Sequence, residues 1–73
     1  MIHDKNIAKR MLNLMDAISI QVNESIREIQ EQCTEEEFRA YRRGAGRVMG
    51  YAYTDVMVPI FEEHPDLKPA GQL

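Results

Sequence analysis

The sequence has few residues that can form covalent or metal-based cross-links. It contains a single cysteine, Cys33, and no tryptophan. One cysteine excludes an internal disulfide and a cysteine metal cage, and an unpaired thiol in so short a chain is typical of a reducing compartment. We therefore expect a cytoplasmic protein.

Long apolar runs are also absent. No stretch reaches the ~18 consecutive apolar residues of a membrane span. The first ten residues include Asp4, Lys5, Lys9 and Arg10, so they lack the apolar segment of a signal peptide. A formal net charge of −3 disfavours general attraction to nucleic acid or anionic membranes. We expect no membrane association, and nucleic acid is a disfavoured partner.

Glycine and proline are missing between Asp4 and Cys33, so this segment carries no helix breaker. Its larger apolar residues recur at intervals of three or four positions, which is the period of an α-helix. These residues are Ile7, Met11, Leu14, Ile18, Val22, Ile26, Ile29 and Cys33. We predict helix 1 over about residues 5–33, with one broad buried face.

Thr34 and Glu37 have the spacing of a capping box and mark the start of a second helix. A second apolar series then predicts helix 2 over about residues 35–63. Its members are Phe38, Tyr41, Ala45, Val48, Ala52, Val56 and Ile60. Because the connection is so short, the two helices should form an antiparallel hairpin.

The three prolines of the sequence all lie in the second half of the chain. Pro59 predicts a kink in helix 2, or alternatively an end and restart of that helix as a short final turn, and Pro65 ends it. Residues 64–73 are left as an extended tail, from which Leu67 is expected to dock on the helices. The whole chain, residues 1–73, is thus predicted to be a single all-α helical-hairpin domain.

Helix 2 carries more apolar surface than one partner helix can cover. A second set of small and apolar residues lies beside its first stripe and predicts a self-association interface. This set is Gly46, Met49, Gly50, Tyr53 and Met57. Because a single core in 73 residues is usually marginal without further contacts, we predict a homodimer that forms a four-helix bundle.

The segment from Gly44 to Gly50 superficially resembles a phosphate-binding glycine loop. Its last glycine spacing is one residue too long, and the segment before it is helical, so it predicts no cofactor. Its glycines instead favour close approach of another helix, since a glycine inside a helix costs ~1 kcal/mol relative to alanine.

One basic cluster lies on helix 2, formed by Arg39, Arg42, Arg43 and Arg47. In an antiparallel hairpin Glu28 falls opposite Arg39, Glu24 opposite Arg43 and Lys5 opposite Glu62. These opposite charges favour ion pairs within the chain. Contact with nucleic acid or with an acidic partner is the alternative.

Residues with catalytic or metal-binding chemistry are sparse. His3 and His64 both fall at the open end of the hairpin, but without the short spacing typical of histidine metal sites. Cys33 has no histidine nearby in the sequence, and no carboxylates are paired for acid–base work. The residues specify no ligand or pathway. We expect no enzyme, metal or cofactor, and predict a small interaction or assembly module with an unidentified protein as a further possible partner. A nucleic-acid-associated regulator is the alternative.

Overall fold

The structure is a computed structural model that describes residues 1–69, and every regular element in this part of the chain is helical. In chain order the elements are α1 (Lys5–Gln32), α2 (Glu35–Tyr51), a π-helical segment (Ala52–Met57), α3 (Val58–Glu63) and a short 3-10 turn (Pro65–Leu67). The predicted all-helical class with two long helical arms is confirmed. The last four residues of the predicted tail lie outside the described residues. No described helix is both long and apolar enough to cross a bilayer.

The two arms are joined at Cys33 and Thr34, and the predicted capping box is confirmed there. Thr34 accepts a hydrogen bond from the Glu37 amide at 3.2 Å, and Glu37 accepts one from the Thr34 amide at 3.0 Å. The bonds from Thr34 lower the pKa of Glu37. Two amides at the start of α2 are therefore satisfied locally, which fixes the position of the turn.

Pro59 does not end the second arm, because the helix widens before it. The Val58 amide donates to the Tyr53 carbonyl, five residues back, and Pro59 lies in the first turn of α3. A proline ring clashes with the carbonyl four residues earlier in an α-helix, and it lacks an amide hydrogen. The wider π turn accommodates both effects, so the arm continues to Glu63.

The π segment also rotates the buried face of the second arm. Before it, Ala45 is buried and Met49 is half-buried; within it, Tyr53 and Met57 pack against the core, and Ile60 does so after it. Counted at about 100° per residue, the interior positions after the π segment are offset by roughly one residue from those before it. Tyr53 and Met57 therefore face α1, on the side where a uniform helix would not place them.

The core is small and lies at the open end of the hairpin. Four buried residues form it: Ala8, Leu12, Ile60 and Phe61. Leu67 packs against this cluster, which confirms that it docks on the helices, although it does so from a 3-10 turn rather than an extended tail. Toward the connection between the arms, Ala45 is the one buried residue of the described chain.

The hairpin forms a single layer, 44 Å long and 16 Å across its thinnest direction. A helix with its side chains is about 10–12 Å across, so both broad faces of this layer border solvent. The apolar stripe of α1 is only half-buried as a result, at Ile18, Val22 and Ile29 for example.

Candidate interaction surface

An apolar groove runs between α1 and α2 on one face of the hairpin. Val22 lines it from α1, and residues of α2 form the rest of the lining. These are Ala40, Tyr41, Gly44, Ala45 and Val48. The groove has a volume of about 470 Å³, and no charged side chain lines it.

Tyr41 forms one wall of the groove and is held there by Ser25. The Ser25 hydroxyl donates to the Val22 carbonyl at 2.7 Å, so its oxygen is left to accept from the Tyr41 hydroxyl, also at 2.7 Å. With its hydroxyl satisfied, the Tyr41 ring presents an apolar edge to solvent. Val48 stands further along α2 and is 55% exposed.

Apolar exposure continues beyond the groove toward the open end. Leu14 is 48% exposed and lies three turns before Ser25, on nearly the same side of α1. Tyr51 is 65% exposed and follows Val48 by one turn of α2. Together with the groove they form an elongated apolar surface that the hairpin itself leaves open.

The structure separates the five residues predicted for self-association. Tyr53 and Met57 pack against the hairpin's own core, and Met49 is half-buried. Gly46 and Gly50 are exposed on the opposite side of α2 from Tyr41, and a β-carbon built on either has no neighbour within 4 Å. Their shared role in an interface stays a prediction, but the larger open apolar surface lies elsewhere, around Val22 and Val48.

Replacing Gly46 with alanine should raise the free energy of unfolding by about 1 kcal/mol. The added methyl group meets open space, while alanine reduces the entropy cost of ordering the helix. Chemical denaturation at one protein concentration measures the change, and Ala17→Gly, at an exposed position of α1 outside the groove, should lower stability by a similar amount. A loss of stability or of self-association in Gly46→Ala would show instead that another molecule occupies this space.

The basic cluster lies on the glycine side of α2. Arg39, Arg42, Arg43 and Arg47 surround Gly46 and line a shallow trough of about 490 Å³. Arg39 pairs with Glu35 on its own helix at 2.7 Å. Within residues 1–69 the other three arginines form no ion pair.

The predicted ion pairs of Glu24 with Arg43 and of Glu28 with Arg39 are wrong for residues 1–69, because Arg39 pairs with Glu35 and because Glu24 and Arg43 point outward from opposite edges of the hairpin. Glu24 and Glu28 fall beyond Ser25, on the Tyr41 side of the hairpin, when α1 is followed at about 100° per residue. Arg39 and Arg42 border the other face, where they share a pocket with Gln30, and Arg43 lies at the outer edge of α2, where it shares a pocket with Ala40. Two residues that are level with each other along an antiparallel hairpin need not point to the same side of it.

The two histidines lie at the open end and tie the N-terminal segment to α3. The His64 Nε2 donates to the Ile2 carbonyl at 2.7 Å, and His3 contacts Glu63. The amino group of Met1 donates to Glu63 at 2.8 Å and is the main reason that the pKa of this carboxyl is lowered. Throughout residues 1–69 no group of three or more metal-ligating side chains is in position to hold an ion.

Lys5 was expected to pair with Glu62 but contacts Asp66 instead, and this bond lowers the pKa of Asp66. The 3-10 turn after Pro65 brings Asp66 back toward the start of α1. These polar contacts hold the N-terminal segment against the end of the second arm, and we call them the polar clasp. Its members are Met1, Ile2, His3, Lys5, Glu63, His64 and Asp66.

The groove contains residues that the sequence pattern had not singled out together. Ala40, Gly44 and Val48 recur every fourth residue, so they form one row along α2. This row of small and apolar residues is the sequence signal for the groove, whereas the glycine spacing pointed to Gly46 and Gly50 as the contact surface.

No protein-family model, no curated protein and no solved structure matches the chain.

Proposed function

We propose that this protein is a non-enzymatic assembly module that works as a homodimer, in which two hairpins pack groove to groove as a four-helix bundle. The observation that supports the proposal is the open apolar groove lined by Val22, Tyr41 and Val48. Burial of apolar surface is the main favourable term in most protein association, and this groove is where the hairpin offers it.

The small core gives a second reason to expect a partner layer. Five side chains are buried in the described chain, and four of them cluster at the open end. The half of the hairpin near Thr34 has little core of its own. A second layer over the groove would cover Ile18 and Val22 and stabilise that half.

The shape of the groove favours a second copy as its occupant. The larger side chains of Tyr41 and Val48 stand out from its lining, whereas Ala40 and Gly44 have small side chains or none. A two-fold axis sets the groove of one copy against the groove of the other, so that both copies bury the same apolar surface, as a self-complementary interface requires. The groove is open along its length, unlike the concave cavities that bury most of a small ligand.

Sedimentation of the intact protein over a range of concentrations tests the proposal. We expect a dimer that dissociates on dilution, with a parallel loss of helical circular dichroism as the half near Thr34 loses its cover. A compact monomer that keeps its full helicity at micromolar concentration would contradict the proposal.

A second candidate function is nucleic-acid binding through the arginine trough. It is supported by three arginines, Arg42, Arg43 and Arg47, that make no ion pair in the described part of the chain. Binding of a single-stranded oligonucleotide that weakens steeply with salt would support it. An absence of binding at low ionic strength would remove it.

A further inference from the structure

Two rows of opposite charge face solvent without partners on the two long helices. Glu24 and Glu28 form the acidic row on α1, and Arg43 and Arg47 form the basic row on α2. All four residues are exposed, and none takes part in an ion pair within residues 1–69. Arginine and carboxylate groups form the strongest ion pairs when their geometry allows two parallel hydrogen bonds.

The two rows have the same spacing. In each row the second residue follows the first by four positions, one helical turn, or about 6 Å along the axis. Two helices that lie side by side can therefore bring both pairs together in one register. Within the chain this cannot happen, because the rows lie at the two outer edges of the hairpin, with both helices between them.

Both rows border the apolar groove at its outer edges. Ala40 lines the groove and also lines a shallow pocket with Arg39 and Arg43, so the arginine row runs just outside the α2 wall. On α1, Glu28 and then Glu24 follow Ser25 away from α2, on the groove side. A helix seated in the groove would thus run close to both rows.

We infer that α1 of each copy lies against α2 of the other, so that Glu24 and Glu28 of one copy pair with Arg43 and Arg47 of its partner. This inference rests on the proposed dimer and specifies its arrangement. The other two-fold arrangement, with α1 against α1 and α2 against α2, sets carboxylates against carboxylates and guanidinium groups against each other. Like charges at the edges of helical interfaces disfavour a pairing, and opposite charges select it.

Charge reversal tests this arrangement with three proteins: the wild type, Glu24→Arg/Glu28→Arg and Arg43→Glu/Arg47→Glu. Each reversed protein should dimerise at least about tenfold more weakly than the wild type at low ionic strength. An equimolar mixture of the two should form a heterodimer about as tight as the wild type, because both reversed rows are then matched. The two variants shift net charge in opposite directions, so a general charge effect cannot weaken both. Sedimentation with one fluorescently labelled species measures all four samples.

Arg42→Glu is the matched control, since Arg42 borders Gln30 on the other face, and it should dimerise like the wild type. Reversed proteins that dimerise normally would overturn the inference, as would a mixture that fails to associate. If Arg43→Glu/Arg47→Glu loses only salt-sensitive oligonucleotide binding and keeps its dimer, the arginine row binds nucleic acid and the inference is wrong. A wild type that is monomeric while the polar clasp and helicity are intact would refute the proposed function itself, which separates that failure from the others.

Discussion

Replacing Ile60 with alanine is expected to destabilise the fold by about 2–5 kcal/mol, the usual cost of truncating a buried isoleucine. Ile60 has no exposed surface and packs with Leu12 and Phe61 in the one cluster of the described core. Its truncation leaves a cavity between α3 and α1, which the neighbouring side chains fill only in part when they relax. Domains of this size have a total stability of roughly 4–11 kcal/mol, so the change removes a large part of it.

Urea denaturation at a fixed protein concentration measures this effect. Ile20→Ala is the matched control, because Ile20 is 60% exposed on α1 and its truncation should change stability by no more than about 0.5 kcal/mol. Equal effects of the two substitutions would show that the cluster around Ile60 is not the main core of the folded protein.

Replacing Val48 with glutamate is expected to disrupt the proposed dimer and to raise its dissociation constant by at least about 100-fold. In the hairpin Val48 is 55% exposed, so a carboxylate there stays hydrated and costs the isolated chain little. In a groove-to-groove dimer the same carboxylate is removed from water on an apolar surface, and burial of an unpaired charge costs several kcal/mol. Two-fold symmetry repeats that cost in both copies.

The control for Val48→Glu is Ile20→Glu, which makes the same kind of change on an exposed face of α1 away from Val22. Sedimentation should show the Val48 variant as a monomer under conditions where the Ile20 variant is a dimer. The helicity of the Val48 variant should equal that of the diluted wild type. A normal dimer in Val48→Glu would place the interface elsewhere, with Gly46 and Gly50 as the next surface to test.

Local signals in the sequence predicted the backbone well. The break at Thr34 followed from a hydrogen-bonding pattern among neighbouring residues, and the structure contains both bonds. The three- and four-residue spacing from Ile7 to Ile29 predicted a long first helix, and α1 extends over Lys5–Gln32. Such features depend on residues within one turn of each other, so they are visible without knowledge of the fold.

Predictions that assumed a uniform helix were less accurate. Tyr53 and Met57 were placed beside Gly46 and Gly50 by counting at a constant angle, but the π segment before Pro59 turns them into the core. The wrong ion pairs of Glu24 and Glu28 have a related cause. Position along an antiparallel pair says which residues are level with each other, and it does not say which face they occupy.

The sequence by itself determined that the chain is helical, where its two arms meet and that helix 2 carries surplus apolar surface, because periodicity and capping act locally. Only the tertiary structure decided where the surplus lies. The rotation across Ala52–Met57 turns Tyr53 and Met57 toward the core, whereas Tyr41 and Val48, which precede it, line an open groove. The direction in which each side chain points depends on the accumulated twist of the whole arm and on its packing against α1. Neither can be read from a short stretch of residues.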